Sequence, residues 1–145
     1  MSDAFPFVGA SDATVQTMQA VQELPDFKEF DWNFEDNRFK YDSSGHHILL
    51  EGAEALKVWI YKALATERYR YLAYTWQYGI ELKPFIGLVM SVEERISELK
   101  RIIIECLMVN PYITSIDSFN FIQDGASAHV EIQLTTVYGE VSVGV

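Results

Sequence analysis

The chain has 145 residues and a formal net charge of −10. That length suits one domain with a single core, and an apolar content of 49% favours a packed fold over disorder. The acidic balance argues against nucleic acid as a partner, because a phosphate-binding surface needs clustered Lys and Arg.

Cys106 is the single cysteine, which rules out an internal disulfide and a cysteine-rich zinc site. The N-terminus carries Phe5-Pro6-Phe7 but neither a basic n-region nor an apolar h-region. No apolar run approaches the ~20 residues of a transmembrane helix. The chain is therefore read as cytoplasmic when synthesised.

Residues 1–26 form an acidic arm. Asp3, Asp12, Glu23 and Asp26, continued by Glu29, Asp31, Glu35 and Asp36, face only Lys28. Such a stretch stays solvated or docks on a basic partner. Within it, Val15, Met18 and Val21 have helical spacing over 14–24, closed by Pro25. The arm is expected to attach loosely or to lie on a neighbour, and 27–145 to form the single domain.

From Phe27 the period changes to two. Phe30, Trp32 and Phe34 alternate with Glu29, Asp31 and Asn33, a half-buried strand. Asp36-Asn37 is a turn signal, and Phe39 and Tyr41 lie on the return strand. Ser43-Ser44-Gly45 turns again into a short strand over 46–50.

Residues 51–65 read as a helix with Ala53, Leu56, Trp59, Ile60, Ala63 and Leu64 in one apolar stripe. Residues 66–82 read as loop and extended chain, rich in Arg, Tyr and Trp. A short helical piece is predicted at 84–89, with Pro84 in its first turn. Over 91–109, Ser91 and Glu94 make a capping box. Val92, Ile96, Leu99, Ile103, Cys106 and Leu107 line one face there. Asn110-Pro111 ends that helix.

Residues 112–123 and 126–137 predict a hairpin around Asp124-Gly125. Val130, Ile132 and Leu134 alternate with polar residues. After Tyr138-Gly139, Val141, Val143 and Val145 alternate to the last residue, leaving a sheet edge that is either covered or paired with another chain.

Catalytic signatures are thin. His46 and His47 point to opposite faces of a strand and cannot both ligate one ion, and His129 is distant; no metal site is expected. Cys106 reads as an inert core thiol. No GxSxG, Walker or GxGxxG sequence occurs. Glu51, Glu54, Glu67 and Glu81 cluster around the centre, and an acid-pair hydrolase acting through Glu67 or Glu81 is the rival reading. Arg68 and Arg70 beside Glu67 favour an ion pair instead. The segment Glu67-Arg68-Tyr69-Arg70-Tyr71 is either a loop paired with local acids or an anchor for a partner, with Arg forks and Tyr rings supplying contact area.

These residues resemble the sheath-initiator, or lysozyme-like baseplate wedge, family of contractile tails, in its Gram-positive prophage and phage-tail-like bacteriocin branch. The resemblance rests on Gly52-Ala53-Glu54-Ala55-Leu56-Lys57-Val58-Trp59-Ile60, then Thr66-Glu67-Arg68-Tyr69-Arg70, then Tyr78-Gly79-Ile80-Glu81-Leu82. It covers about 28–145. It departs after the long helix, where the wider family has Glu-Pro-Arg and this chain has Asn110-Pro111-Tyr112.

The resemblance implies a structural baseplate subunit that links wedge to sheath and nucleates sheath assembly. It implies several copies in a symmetric ring, with wedge and sheath proteins as partners, the tail tube or hub as a further neighbour, and no cofactor. Wedge contacts are expected at Arg68, Tyr69, Arg70, Trp76, Tyr78, Pro111 and Tyr112. Strand exchange with the sheath is expected at Val141, Val143 and Val145. The expected fold is α+β, a small mainly antiparallel sheet packed against two principal helices, with a C-terminal hairpin and terminal edge strand. A generic adaptor without affinity for either partner is the remaining alternative.

Overall fold

The fold is a computed structural model that describes residues 23–70, 73–75, 77–85, 87–125 and 127–145. The predicted helix at 14–24 falls almost wholly outside them. Four short strands open the described chain: β1 (Lys28–Phe30), β2 (Trp32–Asn33), β3 (Arg38–Phe39) and β4 (Leu49–Glu51). Helix α1 (Ala53–Ala65), a 3-10 turn at Lys83–Phe85 and helix α2 (Val92–Leu107) follow. Strands β5 (Ile113–Asp124), β6 (Ser127–Thr136) and β7 (Gly139–Gly144) close it.

The last three strands make one antiparallel sheet in the order β5-β6-β7. Alternation sets its two faces. Val130, Ile132, Leu134, Val141 and Val143 point inward and are buried. On the other face Thr135 bonds Asp117 at 2.7 Å and Asn120 bonds Glu131 at 3.2 Å, a polar ladder across β5 and β6. Leu56, Ile60 and Ala63 of α1 and Ile102, Ile103, Cys106 and Leu107 of α2 complete the core. The architecture is α+β, as the period changes predict.

Helix α2 begins where the capping box places it. Ser91 Oγ accepts from the Glu94 N–H at 3.2 Å, and a Glu94 carboxylate oxygen accepts from the Ser91 N–H at 2.9 Å. Its apolar face is buried only in the C-terminal half, however. Val92 is 69% exposed and Ile96 38%. The apolar face read from the sequence is thus only partly covered: its first two turns lie outside the core that Ile102, Ile103, Cys106 and Leu107 enter.

The predicted first strand also differs. The chain over 28–33 changes partners at Asp31. Strand β1 pairs with β4, Phe30 opposite Leu49, and β2 pairs with β3, Trp32 opposite Phe39. Asp31 donates its N–H to Ile48 O at 2.8 Å and accepts from Lys40 N–H at 3.0 Å, so one residue serves both sides. The third strand starts at Leu49, not His46, and His47 makes only an isolated bridge to Tyr41. Phe30 and Phe34 are each 44% exposed; Phe30 packs edge-on to Phe39, and Phe34 lies 4.2 Å from Tyr61 of α1 by ring centroids. His47 sits 5.1 Å from Phe30, 4.9 Å from Phe39 and 4.8 Å from Tyr41 by ring centroids. The helical piece predicted over 84–89 is shorter than expected, a single 3-10 turn at Lys83–Phe85.

Candidate functional site

The loop after α1 is closed at its base by backbone bonds. Arg68 N–H donates to Ile80 O at 2.9 Å and Ile80 N–H donates to Thr66 O at 2.8 Å. Gly79 makes this closure possible. Its φ is +98°, and a Cβ there would lie 2.6 Å from Thr66 O, closer than real side chains approach backbone.

Arg68 then ties the closed loop to α2. Its side chain is only 7% exposed. Nε donates to Gly79 O at 3.1 Å and Nη1 donates to Glu105 Oε1 at 2.9 Å. The other Glu105 oxygen accepts from Arg101 at 3.2 Å, and Arg101 also pairs with Glu98. Burial is the largest single influence and works against the Arg68 charge, but the hydrogen bonds and charges of Glu105 and Tyr69 together outweigh it, so its pKa is raised. The same hydrogen bond, with the charges of Arg68 and Arg101, holds the Glu105 carboxyl below the usual carboxylate range.

The tied loop presents its neighbours outward. Tyr69 has φ +66° and is 61% exposed. A non-glycine residue in the left-handed region costs on the order of 1–3 kcal/mol and persists only where its surroundings impose it. Arg70 and Lys83 both approach Glu67, at 3.6 and 3.0 Å. The ion-pair reading of Glu67 is the one its geometry fits.

The expected contact residues separate into two groups. Arg68, Tyr69 and Arg70 border a cavity of about 180 Å³ with Glu67, Glu81 and Lys83. Tyr78, Pro111 and Tyr112 border another, of about 280 Å³, with Phe27, Trp59 and Val109. Tyr78 is half-buried against Trp59 and Tyr74, 5.9 and 4.5 Å between ring centroids, and burial pushes its hydroxyl up to about 12. Pro111 is exposed. Trp76 lies outside the described residues.

Two of those residues turn inward. Arg68 is the internal tie just described. Tyr112 is buried, donates its hydroxyl to Pro25 O at 2.5 Å and stands edge-on to Phe27 at 4.9 Å. Tyr138 accepts from the Phe27 N–H at 2.7 Å on the same side. Tyr112 therefore fastens the start of the domain from inside. The sequence reading missed Glu105 and Lys83. The signal for Glu105 was present in the Glu98, Arg101 and Glu105 spacing along one helix flank.

The terminal strand shows a similar division. Val130 and Val145 exchange N–H···O bonds at 2.8 and 2.9 Å. In an antiparallel ladder, bonded pairs alternate, so Val141 and Val143 also turn their main-chain groups toward β6. Their side chains enter the core, 4% and 8% exposed, and Val145 is 39% exposed. The main-chain groups turned away from β6 belong to Glu140, Ser142 and Gly144, and no described strand lies beyond them.

A profile of contractile injection system sheath initiators matches residues 28–139, from the first residue of β1 to the first of β7. The chain belongs to the sheath-initiator family. It is also 29% identical over 96 residues to phage-like element PBSX protein XkdS of Bacillus subtilis (strain 168), covering 66% of this chain and 68% of that protein. The tied loop lies within the sheath-initiator match, whereas β7 beyond Gly139 lies outside it. Membership supports a sheath-initiating role in the baseplate of a contractile system. No helix among the described residues is long and apolar enough to cross a membrane.

Proposed function

We propose that this sheath initiator seats on the baseplate wedge through the loop after α1 and starts the sheath by adding an incoming strand to the edge of β7. The outward main-chain groups of Glu140, Ser142 and Gly144 carry this reading. An open edge supplies donors and acceptors for a new strand, while alternate side chains set its register. Val141, Val143 and Val145 serve the exchange by holding β7 against β6 and the core.

On the wedge side, Tyr69, Arg70, Trp76, Tyr78 and Pro111 supply contact, with Arg68 and Tyr112 fixing the surfaces from within. The protein works as a structural part of a phage tail or tail-like bacteriocin, in several copies around the ring. It is not an enzyme in this reading, and the pairing of Glu67 with Lys83 and Arg70 favours a structural carboxylate over a hydrolytic acid.

The test is sheath polymerisation on purified baseplates with and without the protein, viewed by electron microscopy. Sheath starting at the baseplate only when the protein is present supports the reading. Equal assembly without it overturns the reading.

A further inference from the structure

The solvent face of the β5-β6-β7 sheet carries acid without base. Residues 113–145 contain Asp117, Asp124, Glu131 and Glu140 but no Lys or Arg. Asp117 bonds Thr135, Glu131 bonds Asn120, and Glu140 stands opposite Thr135 in register. Asp124 keeps the same parity as Asn120 along β5, so all four share the outward face. Elsewhere carboxylates find cations: Glu29 has Lys62, Glu67 has Lys83 and Glu98 has Arg101. Among the described residues, none of the four on this face enters an ion pair. Lys100 of α2 reaches the sheet from the helix side, 5.3 Å from the Phe119 ring.

A hollow of about 310 Å³ opens beside β7, bordered by Asp117, Gln133, Glu140 and Ser142. Gln133 stands opposite Ser142 in register, so the hollow reaches from β6 to the outermost strand. Glu140 and Ser142 are also residues whose main-chain groups turn away from β6. In a ladder, opposed residues put their side chains on the same face. A strand that bonds Ser142 therefore places a side chain at the rim of the hollow. From there the diagonal to the Glu140 position is about 7–8 Å, within reach of a long side chain.

We infer that the strand added at β7 is a sheath segment with Lys or Arg on its outward side, one of them seated between Asp117 and Glu140. The inference rests on the edge-addition reading and names the chemistry of its partner. Carboxylates without a cation of their own favour base at these positions and repel a strand carrying Asp or Glu there. The inward positions of the same strand continue the apolar side formed by Val141 and Val143, so the segment alternates base and apolar residue with a period of two. Pairing β7 with β7 of a second copy is disfavoured, because it brings two acidic faces together.

The experiment measures binding of purified sheath protein to baseplates that carry the full-length initiator, at low and high salt. The double variant Glu131→Lys, Glu140→Lys and the single variant Glu140→Lys are compared with wild type. Glu35→Lys makes the same charge change as the single variant, away from the sheet. A benzophenone amino acid replacing Gln133 reports the contacted segment. The inference expects affinity to fall about tenfold or more in the double variant, less in Glu140→Lys and not in Glu35→Lys. It expects wild-type affinity to weaken with salt and cross-links to a segment with Lys or Arg at alternate positions. Circular dichroism equal to wild type shows that the variants are folded. Glu131 and Glu140 are exposed, and Glu140→Lys alone carries the test if the double variant unfolds. If the sheet variants bind as wild type does while folded Ser142→Pro fails to bind, if Glu35→Lys weakens binding equally, or if cross-links fall on an acidic segment or a second copy of this chain, the inference is overturned while edge addition stands. If wild-type protein binds no sheath, or folded Ser142→Pro binds it as wild type does, edge addition itself falls and this inference with it.

Discussion

Arg68 and Glu105, 37 residues apart in sequence, meet at 2.9 Å and join the loop after α1 to the flank of α2. Because the Arg68 side chain is buried and also bonds Gly79 O, removing it leaves that carbonyl without the bond and lets the loop separate from the helix. Arg68→Ala is expected to destabilise the protein by about 2 kcal/mol, the range of a hydrogen bond to a charged group. Urea unfolding measures the loss. Native-state hydrogen exchange locates it at the amides of Arg68 and Ile80, and an unchanged exchange rate there would show that the loop holds without the tie.

The same pair gives a pH dependence. The folded-state pKa of Glu105 is depressed, first by the Arg68 hydrogen bond. A depressed carboxylate contributes stability above its unfolded pKa and loses that contribution as pH falls through the folded one. Protection of the Arg68 and Ile80 amides is therefore expected to decrease on acidification below the ordinary carboxylate range and to be steady above it. The effect is modest, since Glu105 is 52% exposed at the side chain and solvent screens it. Glu105→Gln is expected to flatten the profile; a profile unchanged by that substitution would remove Glu105 as its source.

Gly79 closes the loop by a different means. A Cβ at that position meets Thr66 O at 2.6 Å with φ at +98°, so collision and backbone strain act together. Gly79→Ala is expected to cost about 3 kcal/mol, more than an ordinary surface substitution. Thermal unfolding reads the difference. A melting temperature equal to wild type would mean that the loop accommodates a methyl group without shifting.

These ties explain why some features were legible in the sequence and others were not. The α2 N-terminus, the Asp124-Gly125 hairpin and the alternating valines of β7 are local patterns, each written within a few residues. Arg68 and Arg70 look alike in the segment Arg68-Tyr69-Arg70; one is buried and the other exposed because Glu105 waits on a distant helix. Tyr112 reads as a surface replacement for a charged motif, yet Phe27 and Pro25, far upstream, draw it inward. The exposure of Val92 and Ile96 is hidden for a related reason: helical periodicity identifies an apolar face but not how much of it another element covers. The split at Asp31 depends on which strand pairs with which, and alternation alone does not encode that.

Cys106 offers a probe of the core. Its Sγ lies 3.7 Å from Ala63 O, the residue is fully buried, and burial pushes the thiol up to about 12. The thiol is therefore neutral in the folded protein at pH 8, and iodoacetamide labelling is expected only after unfolding. A raised acid pKa also means that stability falls as pH rises above the unfolded thiol value, because the unfolded chain ionises first. Mass spectrometry of alkylated protein across urea concentration checks the first point. Rapid labelling in native buffer would place the thiol at the surface.

The edge of β7 can be separated from the core that supports it, because successive residues serve different sides. Ser142 turns its N–H away from β6, whereas Val143 turns its side chain into the core at 8% exposure. Ser142→Pro removes an outward donor and obstructs an added strand, and proline is tolerated on an edge. It is expected to leave a folded protein that seats on baseplates but no longer seeds sheath. Val143→Ala is expected to cost about 1–3 kcal/mol through the lost methyl groups and the space they leave, while seeding persists at temperatures where the variant stays folded. Removing 140–145 should abolish seeding as the proline does. Sheath growth on baseplates, scored by electron microscopy alongside circular dichroism, distinguishes the variants. Normal seeding by folded Ser142→Pro would show that the incoming strand does not use this edge.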